Sequence, residues 1–294
     1  QKYGVKQWKD LFSARQLLAI GWFIKHCREA VLLASETDRS LGEGIGAYLT
    51  CGLGKMLDYE NMGCSWYLNN EQITHLFNRF ALPFKWDFAE ASPIGGASGS
   101  WESMLTSVTK SVATGVHLAA DLEIPKIVRR PASASNGERI DLVVTDPPYY
   151  DAIPYSDLMD FFYIWQRRLL GDLNREFVAN YETPLGPKWD REKGDGELID
   201  DETRFDGDRS SSKAAYEDGM AKAFKVCFEE LSDTGRLAIV FANKEVDAWE
   251  TLIGALIKAG ATVTASWPIQ TEMPNRSRGI NSAALSSSVW IVCR

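Results

Sequence analysis

An apolar run that ends in two consecutive prolines constrains the fold of this chain more than any other feature. The run Ile140–Thr145 is predicted to be a buried strand, and Asp146-Pro147-Pro148-Tyr149 follows it directly. Proline donates no backbone N–H to a sheet ladder and its ring fixes φ, so the strand must stop at this motif. An aromatic helix is predicted over 157–170, where apolar residues recur at helical spacing. Strand, loop and helix in this order are typical of an α/β sheet.

The chain shows two kinds of hydrophobic pattern. Residues 1–120 carry mostly helical periodicity and are predicted to form a helical cap or support region. Over 121–294, strands alternate with helices, which predicts an α/β domain whose last strand returns antiparallel. Within that domain, residues 184–212 are polar, charged and glycine-rich, and the stretch is too long for an ordinary connection. It is therefore predicted to be a mobile loop.

Local signals predict the remaining elements. A capping box at Ser13-Ala14-Arg15-Gln16 predicts the start of the first long helix. Further helices are predicted at 45–57, from Glu71, from Trp101, at 214–231 and from Asp247, and further strands at 126–130, 236–242, 261–269 and 288–293.

The motif Asp146 to Tyr149 places two hydrogen-bond acceptors at the end of a strand. The Asp146 carboxylate and the Pro147 carbonyl are predicted to accept the two hydrogens of an aromatic amine such as adenine N6. Two fixed acceptors draw that nitrogen toward tetrahedral geometry and stabilise the positive charge that develops on methylation. Pro148 helps to lock the backbone, and Tyr149 offers a face on which an extruded base stacks. The alternative is an Asp-Pro-Pro turn that only closes a strand.

Four segments of the chain together carry a family resemblance. They resemble the large adenine-specific DNA methylases, a family defined by a domain of unknown function and often found in bacterial and archaeal defence islands. The resemblance runs from about Trp8 to Arg294. The segments are TDPPYYDAIPYSDLMDFFYIWQRRLL, WDFAEASPIGG, GRLAIVFANK and ASWPIQTEMPNR.

That resemblance implies a class I, Rossmann-like methyltransferase sheet, S-adenosylmethionine as cofactor, DNA as partner and a role in restriction-modification or phage defence. Members of the family usually carry an upstream F-x-G-x-G loop for the cofactor and a cysteine-paired zinc ribbon. This sequence contains neither. The sheet is therefore expected to be incomplete, and a partner subunit or an upstream segment is expected to supply the cofactor loop.

Several other residues are candidates for the pocket that receives the base. Trp267 stands at the end of a predicted strand, in the region where amino-methyltransferases resembling this one place a second aromatic against the flipped base; the alternative is core packing. Tyr150, Asp151 and Tyr155 are close enough in sequence to line the same pocket, and Asn243 with Lys244 ends the next strand at the same sheet edge. These residues are expected to support the pocket rather than to contact the base directly.

A second group of residues is the candidate cofactor site. Asp87 and Glu90 lie in a short extended piece, and a loop that includes Gly95 and Gly96 follows before a helix. Acidic groups and a glycine turn are the combination that contacts a nucleotide-like ligand. In the alternative interpretation, the two carboxylates cap or pair with nearby arginines and the glycines only provide a turn.

Composition narrows the range of functions. A net charge of −8 does not favour binding to a polyphosphate, although arginine pairs at 129–130, 167–168 and 276–278 cluster positive charge. Five scattered cysteines without a C-x-x-C pair predict reduced thiols and no metal site. The sequence has neither a membrane-length apolar run nor a signal peptide, so a soluble cytoplasmic protein without a membrane partner is expected.

The expected function is S-adenosylmethionine-dependent methylation of adenine N6 in DNA. Methylation of cytosine N4 or of an RNA adenine stays open, because the motif indicates an exocyclic amine and not the ring that bears it. A second hypothesis is a non-catalytic or split-enzyme subunit that binds nucleic acid and depends on another segment for the cofactor loop.

Overall fold

The computed structural model describes residues 4–69, 71–77, 82–83, 85–151, 153–173, 188–190, 192–194, 196–243, 245–269 and 288–294. Within them the protein is mixed α/β. The chain divides into two compact units. Unit 1 comprises Gln1–Lys126 and Ser156–Gly186, and unit 2 comprises Ile127–Tyr155 and Pro187–Arg294. The predicted boundary at 120/121 lies close to Lys126, where the chain first passes from unit 1 to unit 2. The aromatic helix predicted at 157–170 belongs to unit 1 and not to the unit that holds the sheet.

Unit 1 is built from helices. The Ser13 capping box is confirmed, since Ser13 and Gln16 each accept the other's backbone N–H. The second helix begins earlier than predicted because Asp38 caps it, and the glycines at 42–46 lie inside it. The described elements of this unit are α1 (Ala14–Thr37), α2 (Arg39–Tyr59), a short antiparallel pair β1 (Trp66–Tyr67) and β2 (Gln72–Ile73), α3 (Trp101–Ala119) and, from Ser156 onward, α4 (Tyr155–Leu170).

An aromatic cluster forms the core of unit 1. Phe161 of α4 is fully buried and stacks on Phe12 at a centroid distance of 5.8 Å. Phe77 and Trp8 meet the same ring edge-on, at 5.2 and 5.8 Å. Aromatic side chains bury large apolar areas and prefer these geometries. The aromatic series of α4 is therefore core material rather than a platform for bases.

Three of the predicted elements are wrong. The helix predicted from Glu71 is replaced by the β1–β2 pair, because Glu71 takes a left-handed φ of 49° in the connecting turn. No strand forms at 126–130, an exposed stretch with no strand partner among the described residues. The short extended piece that holds Asp87, predicted at 84–88, forms no strand over its described residues 85–88, where the chain bends.

Glu60 is a buried acid at the end of α2. The residue is 3% exposed, and its Oε1 atom has no hydrogen-bond partner. Burial, with a smaller contribution from the charge of Glu90, raises the pKa of Glu60 from 4.5 to about 7. The folded protein therefore favours the neutral carboxylic acid at this position.

This raised pKa predicts a loss of stability as the pH rises. Below pH 4.5 the group is protonated in both states, but between 4.5 and 7 the unfolded chain ionises while the folded chain stays neutral. We expect the free energy of unfolding to fall by up to about 3 kcal/mol across that window. Glu60→Gln should remove this contribution in urea titrations at pH 5 and pH 8. The exposed control Glu36→Gln should keep the wild-type slope, and an equal slope in both variants would contradict the assignment.

Unit 2 contains a mixed four-stranded sheet with the order β3-β4-β6-β5. β3 and β4 are parallel, and β6 runs antiparallel to both of its neighbours, which confirms the predicted antiparallel last strand. The elements are β3 (Ile140–Thr145), α5 (Arg209–Glu230), β4 (Leu231–Phe241), α6 (Val246–Lys258), β5 (Val263–Ile269) and β6 (Ser288–Cys293).

Helices α5 and α6 cover one face of this sheet. Alternate residues of β4 point to that face, and Leu237, Ile239 and Phe241 are each fully buried. The helices contribute Tyr216, Met220, Phe224, Ala248, Leu252, Ala255 and Leu256 to the same core. The alternation is the period-2 pattern of a strand with one covered face.

The prediction that β3 is buried is wrong. Val143 packs against the helices, but Leu142 and Val144 are 57% and 56% exposed. β3 stands at the edge of the sheet among the described residues, and these two side chains point away from α5 and α6. An apolar strand sequence does not determine whether both faces are covered.

The second part of the segment 184–212, which was predicted to be a mobile loop, contains regular structure. Ile199 is buried, a 3-10 helix spans Glu202–Phe205, and Asp208 caps α5. Arg204 forms a 2.7 Å ion pair with Glu197. The polar residues that suggested solvent exposure serve as caps and buried ion pairs. Residues 184–187, 191 and 195 lie outside the described part.

Candidate active site

The motif Asp146 to Tyr149 forms a turn, called here the D-P-P-Y turn, at the carboxyl end of β3. β3 and β4 are parallel and in register up to Thr145 opposite Ile239, so both strands end at the same edge of the sheet. Asn243 follows the end of β4 at this edge. In open α/β sheets, ligands bind outside the carboxyl ends of strands.

Two acceptors of the D-P-P-Y turn receive no hydrogen bond from any described residue. The Asp146 side chain is exposed and forms no hydrogen bond or ion pair with any described residue. The carbonyl of the buried Pro147 likewise receives no hydrogen bond within the described ranges. Within the described part of the chain, neither of the two groups that sequence analysis singled out is paired with a protein donor.

The next carbonyl in the turn is engaged. The Tyr216 hydroxyl donates to the Pro148 oxygen at 2.6 Å, and the Tyr150 N–H donates to the same oxygen at 3.0 Å. Tyr216 belongs to α5, and sequence reasoning missed it. No local spacing connects a residue on that helix with a turn so far away in the sequence.

Tyr149 is half-buried and rests on the end of β4. Its ring meets Phe241 edge-to-face at 5.4 Å, and Phe241 meets Trp249 in the same way at 4.9 Å. Asn243 donates a long hydrogen bond of 3.5 Å to the Tyr149 carbonyl, and its own carbonyl accepts from the Trp249 indole at 2.8 Å. Asn243 thus connects the ends of the two parallel strands, as its sequence position suggested. Lys244 lies outside the described residues.

The other pocket candidates are not all at the turn's exposed edge. Tyr150 is only 5% exposed and packs edge-to-face on Tyr216 at 5.5 Å, so it is a core residue rather than a pocket wall. The physical reason is its left-handed φ of 61°, which turns the chain inward after Tyr149. Asp151 and Tyr155 are exposed after the turn.

Trp267 is half-exposed on β5, and two strands separate it from the D-P-P-Y turn. It pairs with Trp290, which pairs with Val240 of β4. Three strand spacings correspond to about 14 Å between Trp267 and the level of Asp146. The structure therefore does not bring Trp267 against Tyr149 as the second wall of a sandwich.

The candidate cofactor residues are occupied in local contacts of unit 1. Glu90 forms a 2.5 Å ion pair with Arg15, and Asp87 accepts the N–H of Phe88. Gly95 and Gly96 lie in exposed bends with open space around them, and no strand precedes them. These contacts match the alternative interpretation, in which the carboxylates pair or cap and the glycines turn the chain. The residues do not fit a strand-end cofactor loop.

The arginine clusters are largely used inside the protein. Arg130 forms two 3.0 Å contacts with Glu230, and this contact, with the Asn136 N–H, holds the pKa of that carboxyl at about 2. Arg167 is buried and stacks on Tyr163 at 4.6 Å. Residues 276–278 lie outside the described part. One arginine of each of the pairs 129–130 and 167–168 is therefore engaged within the protein.

The described residues show neither a metal-binding cluster nor a membrane-spanning helix. They contain no group of three or more His, Cys, Asp or Glu side chains that could hold a metal ion. None of their helices has the length and apolar character needed to cross a bilayer. Comparison with known proteins found no matching family model, no matching curated protein and no matching solved structure.

Proposed function

We propose that this chain carries the acceptor site of an S-adenosylmethionine-dependent amino-methyltransferase that acts on adenine N6 in DNA. The observation that carries the proposal is the D-P-P-Y turn at the carboxyl end of β3, where the Asp146 carboxylate and the Pro147 carbonyl have no partner among the described residues. Two adjacent acceptors suit an NH₂ group, which has two hydrogens to donate.

The chemistry proposed for these two groups concerns the amine alone. The lone pair of adenine N6 is delocalised into the ring, which makes it a poor nucleophile. Hydrogen bonds from N6 to Asp146 and Pro147 favour a tetrahedral nitrogen, and the carboxylate stabilises the positive charge that develops there. The cofactor, when bound, supplies the methyl group. In this proposal Asp146 also receives the proton that the product nitrogen releases.

Tyr149 is proposed to receive the base. Its ring packs nearly perpendicular to Phe241 and the side chain is half-exposed, and we propose that its exposed part stacks on an extruded base. Cytosine N4 and RNA adenines present the same amine chemistry. They are the alternatives within this class.

The sheet supports a finer proposal about the fold. The order β3-β4-β6-β5, with an antiparallel β6 between two mutually parallel strands, resembles the second half of a class I, Rossmann-like methyltransferase sheet. The D-P-P-Y turn would then lie beside the strand that carries the cofactor loop in a complete sheet.

A second candidate is a split enzyme, in which another segment or subunit supplies that strand. Two observations favour it. Asp87 and Glu90 do not fit the cofactor role, and β3 is an edge strand in the described sheet with Leu142 and Val144 exposed. Parallel strands are normally covered on both faces, and an exposed apolar edge strand is a site for further pairing.

The test is methyl transfer from radiolabelled S-adenosylmethionine to unmethylated duplex DNA, with digestion to nucleosides to identify the product. The full chain is assayed alone and with any longer form or co-purifying polypeptide. Formation of N6-methyladenine in either arm supports the proposal, and formation in the second arm alone selects the split form. Absence of methylated nucleosides in both arms overturns it.

Calorimetric titration with S-adenosylhomocysteine separates the two forms independently of turnover. Micromolar binding by this chain would place a cofactor site within its residues and exclude the split form. Absence of binding, with methylation in the presence of a second polypeptide, would assign the cofactor loop to that polypeptide.

A further inference from the structure

We infer that Tyr216 is a positioning residue for the D-P-P-Y turn, acting through the Pro148 carbonyl so that the Pro147 carbonyl stays directed at the substrate amine. The inference rests on the proposed function for its catalytic consequence. Its structural basis is a set of buried hydrogen bonds between α5, the segment before it and the turn.

The chemistry of the turn limits how it can be held in place. Neither Pro147 nor Pro148 has an N–H group, so neither can be anchored by donating a hydrogen bond. The only backbone hydrogen-bonding groups of this dipeptide are its two carbonyls. If one carbonyl must remain free for the substrate, the other must accept the hydrogen bonds that fix the turn.

The structure places that anchor on the second carbonyl. The Tyr216 hydroxyl donates to the Pro148 oxygen at 2.6 Å and lies 3.3 Å from the Tyr150 nitrogen, whose N–H it accepts. Tyr216 is 3% exposed, so water does not readily take the place of its hydroxyl. The Pro148 oxygen receives two donors, while no described residue donates to Pro147.

A strained residue follows the anchor. Tyr150 has a φ of 61°, a conformation that costs a non-glycine residue about 1 kcal/mol or more and persists only where its surroundings enforce it. Its N–H is shared between Pro148 and Tyr216, and its carbonyl accepts the Asp200 N–H at 3.2 Å. The strain therefore marks a turn conformation that neighbouring elements impose.

Asp200 is itself fixed from α5. The Ser212 hydroxyl donates to its carboxylate at 2.5 Å, and both residues are buried. Tyr216 and Ser212 are separated by one helical turn, so a single rigid helix holds both sides of Tyr150. Asp200, in the polar segment before α5, therefore helps Ser212 and Tyr216 to hold the D-P-P-Y turn.

Tyr216→Phe tests the inference because it removes one hydroxyl and keeps the ring that packs on Tyr150. We expect the Tyr150 amide to exchange at least 10-fold faster in hydrogen-exchange measurements. In the methyl-transfer assay, kcat should fall by about 10- to 100-fold while KM for DNA stays within about 2-fold, because the acceptor geometry rather than the binding surface is disturbed. Tyr48→Phe, an exposed tyrosine of unit 1, is the matched control and should change neither quantity.

The outcomes separate this inference from the proposed function. Unchanged exchange at Tyr150 in Tyr216→Phe would overturn the inference whatever the activity. Faster exchange with unchanged kcat would also overturn it, because the anchor would then position nothing that reacts. If the wild-type protein methylates no nucleic acid, the proposed function fails, and faster exchange still supports the role of Tyr216 in holding the turn.

Discussion

Asp146→Ala is expected to lower the rate of methyl transfer by about 100- to 1000-fold, the loss typical when one preorganised group that stabilises a charged transition state is removed. The same substitution should leave the melting temperature unchanged. Asp146 is exposed and forms no hydrogen bond or ion pair with the described residues, so its truncation removes no interaction seen among them. Asp146→Ala should therefore reduce activity without reducing stability.

Two further variants sharpen the result. Asp146→Asn keeps one carbonyl acceptor but loses the negative charge, so we expect a rate between those of wild type and Asp146→Ala. Asp233→Ala removes an exposed carboxylate near the amino end of β4, away from the edge that carries the turn, and should retain full activity. Near-normal methylation by Asp146→Ala, in a preparation where wild type is active, would reject Asp146 as an acceptor for the amine.

The strand before the D-P-P-Y turn could be predicted from the sequence because its determinants are local. The prolines end β3 where the ladder can no longer continue, and the predicted bounds of the strand are those observed. The capping residue Ser13 fixed the start of α1 for the same reason. Such signals depend on neighbours within a few residues and need no knowledge of the tertiary fold.

Other predictions depended on long-range geometry instead. Exposure of Leu142 and Val144 follows from the position of β3 in the sheet order, which no window of sequence contains. Tyr150 was predicted from its sequence position to lie near the base pocket in a supporting role, and its positive φ turns it into the core beneath the turn. Glu90 suggested a ligand role until the fold placed Arg15 against it.

The residues that support the turn could not be predicted from the sequence for a related reason. Tyr216 acts through its hydroxyl on a carbonyl distant in the sequence, so no motif records it. The acidic segment before α5 predicted solvent exposure by composition, yet Asp200 is buried and bonded to Ser212. Composition indicates the average polarity of a segment and does not show whether one particular carboxylate is buried.

Phe241→Ala is expected to cause the largest loss of stability, because it removes a fully buried ring from the core of unit 2. Truncation of a buried phenylalanine costs about 3–5 kcal/mol, a large part of the roughly 5–15 kcal/mol that stabilises a typical domain. The ring also supports Tyr149 at 5.4 Å and Trp249 at 4.9 Å, so the cavity would open beside the candidate site.

Urea unfolding followed by circular dichroism measures this cost against two controls. Ile257→Ala shortens an exposed side chain of α6 and should stay within about 0.5 kcal/mol of wild type. Phe241→Leu keeps most of the volume and should cost less than about 1.5 kcal/mol. Because it still removes the aromatic edge contact with Tyr149, it should lower methyl transfer while the fold persists. A cost for Phe241→Ala no greater than that for Ile257→Ala would contradict the placement of this ring beneath the D-P-P-Y turn.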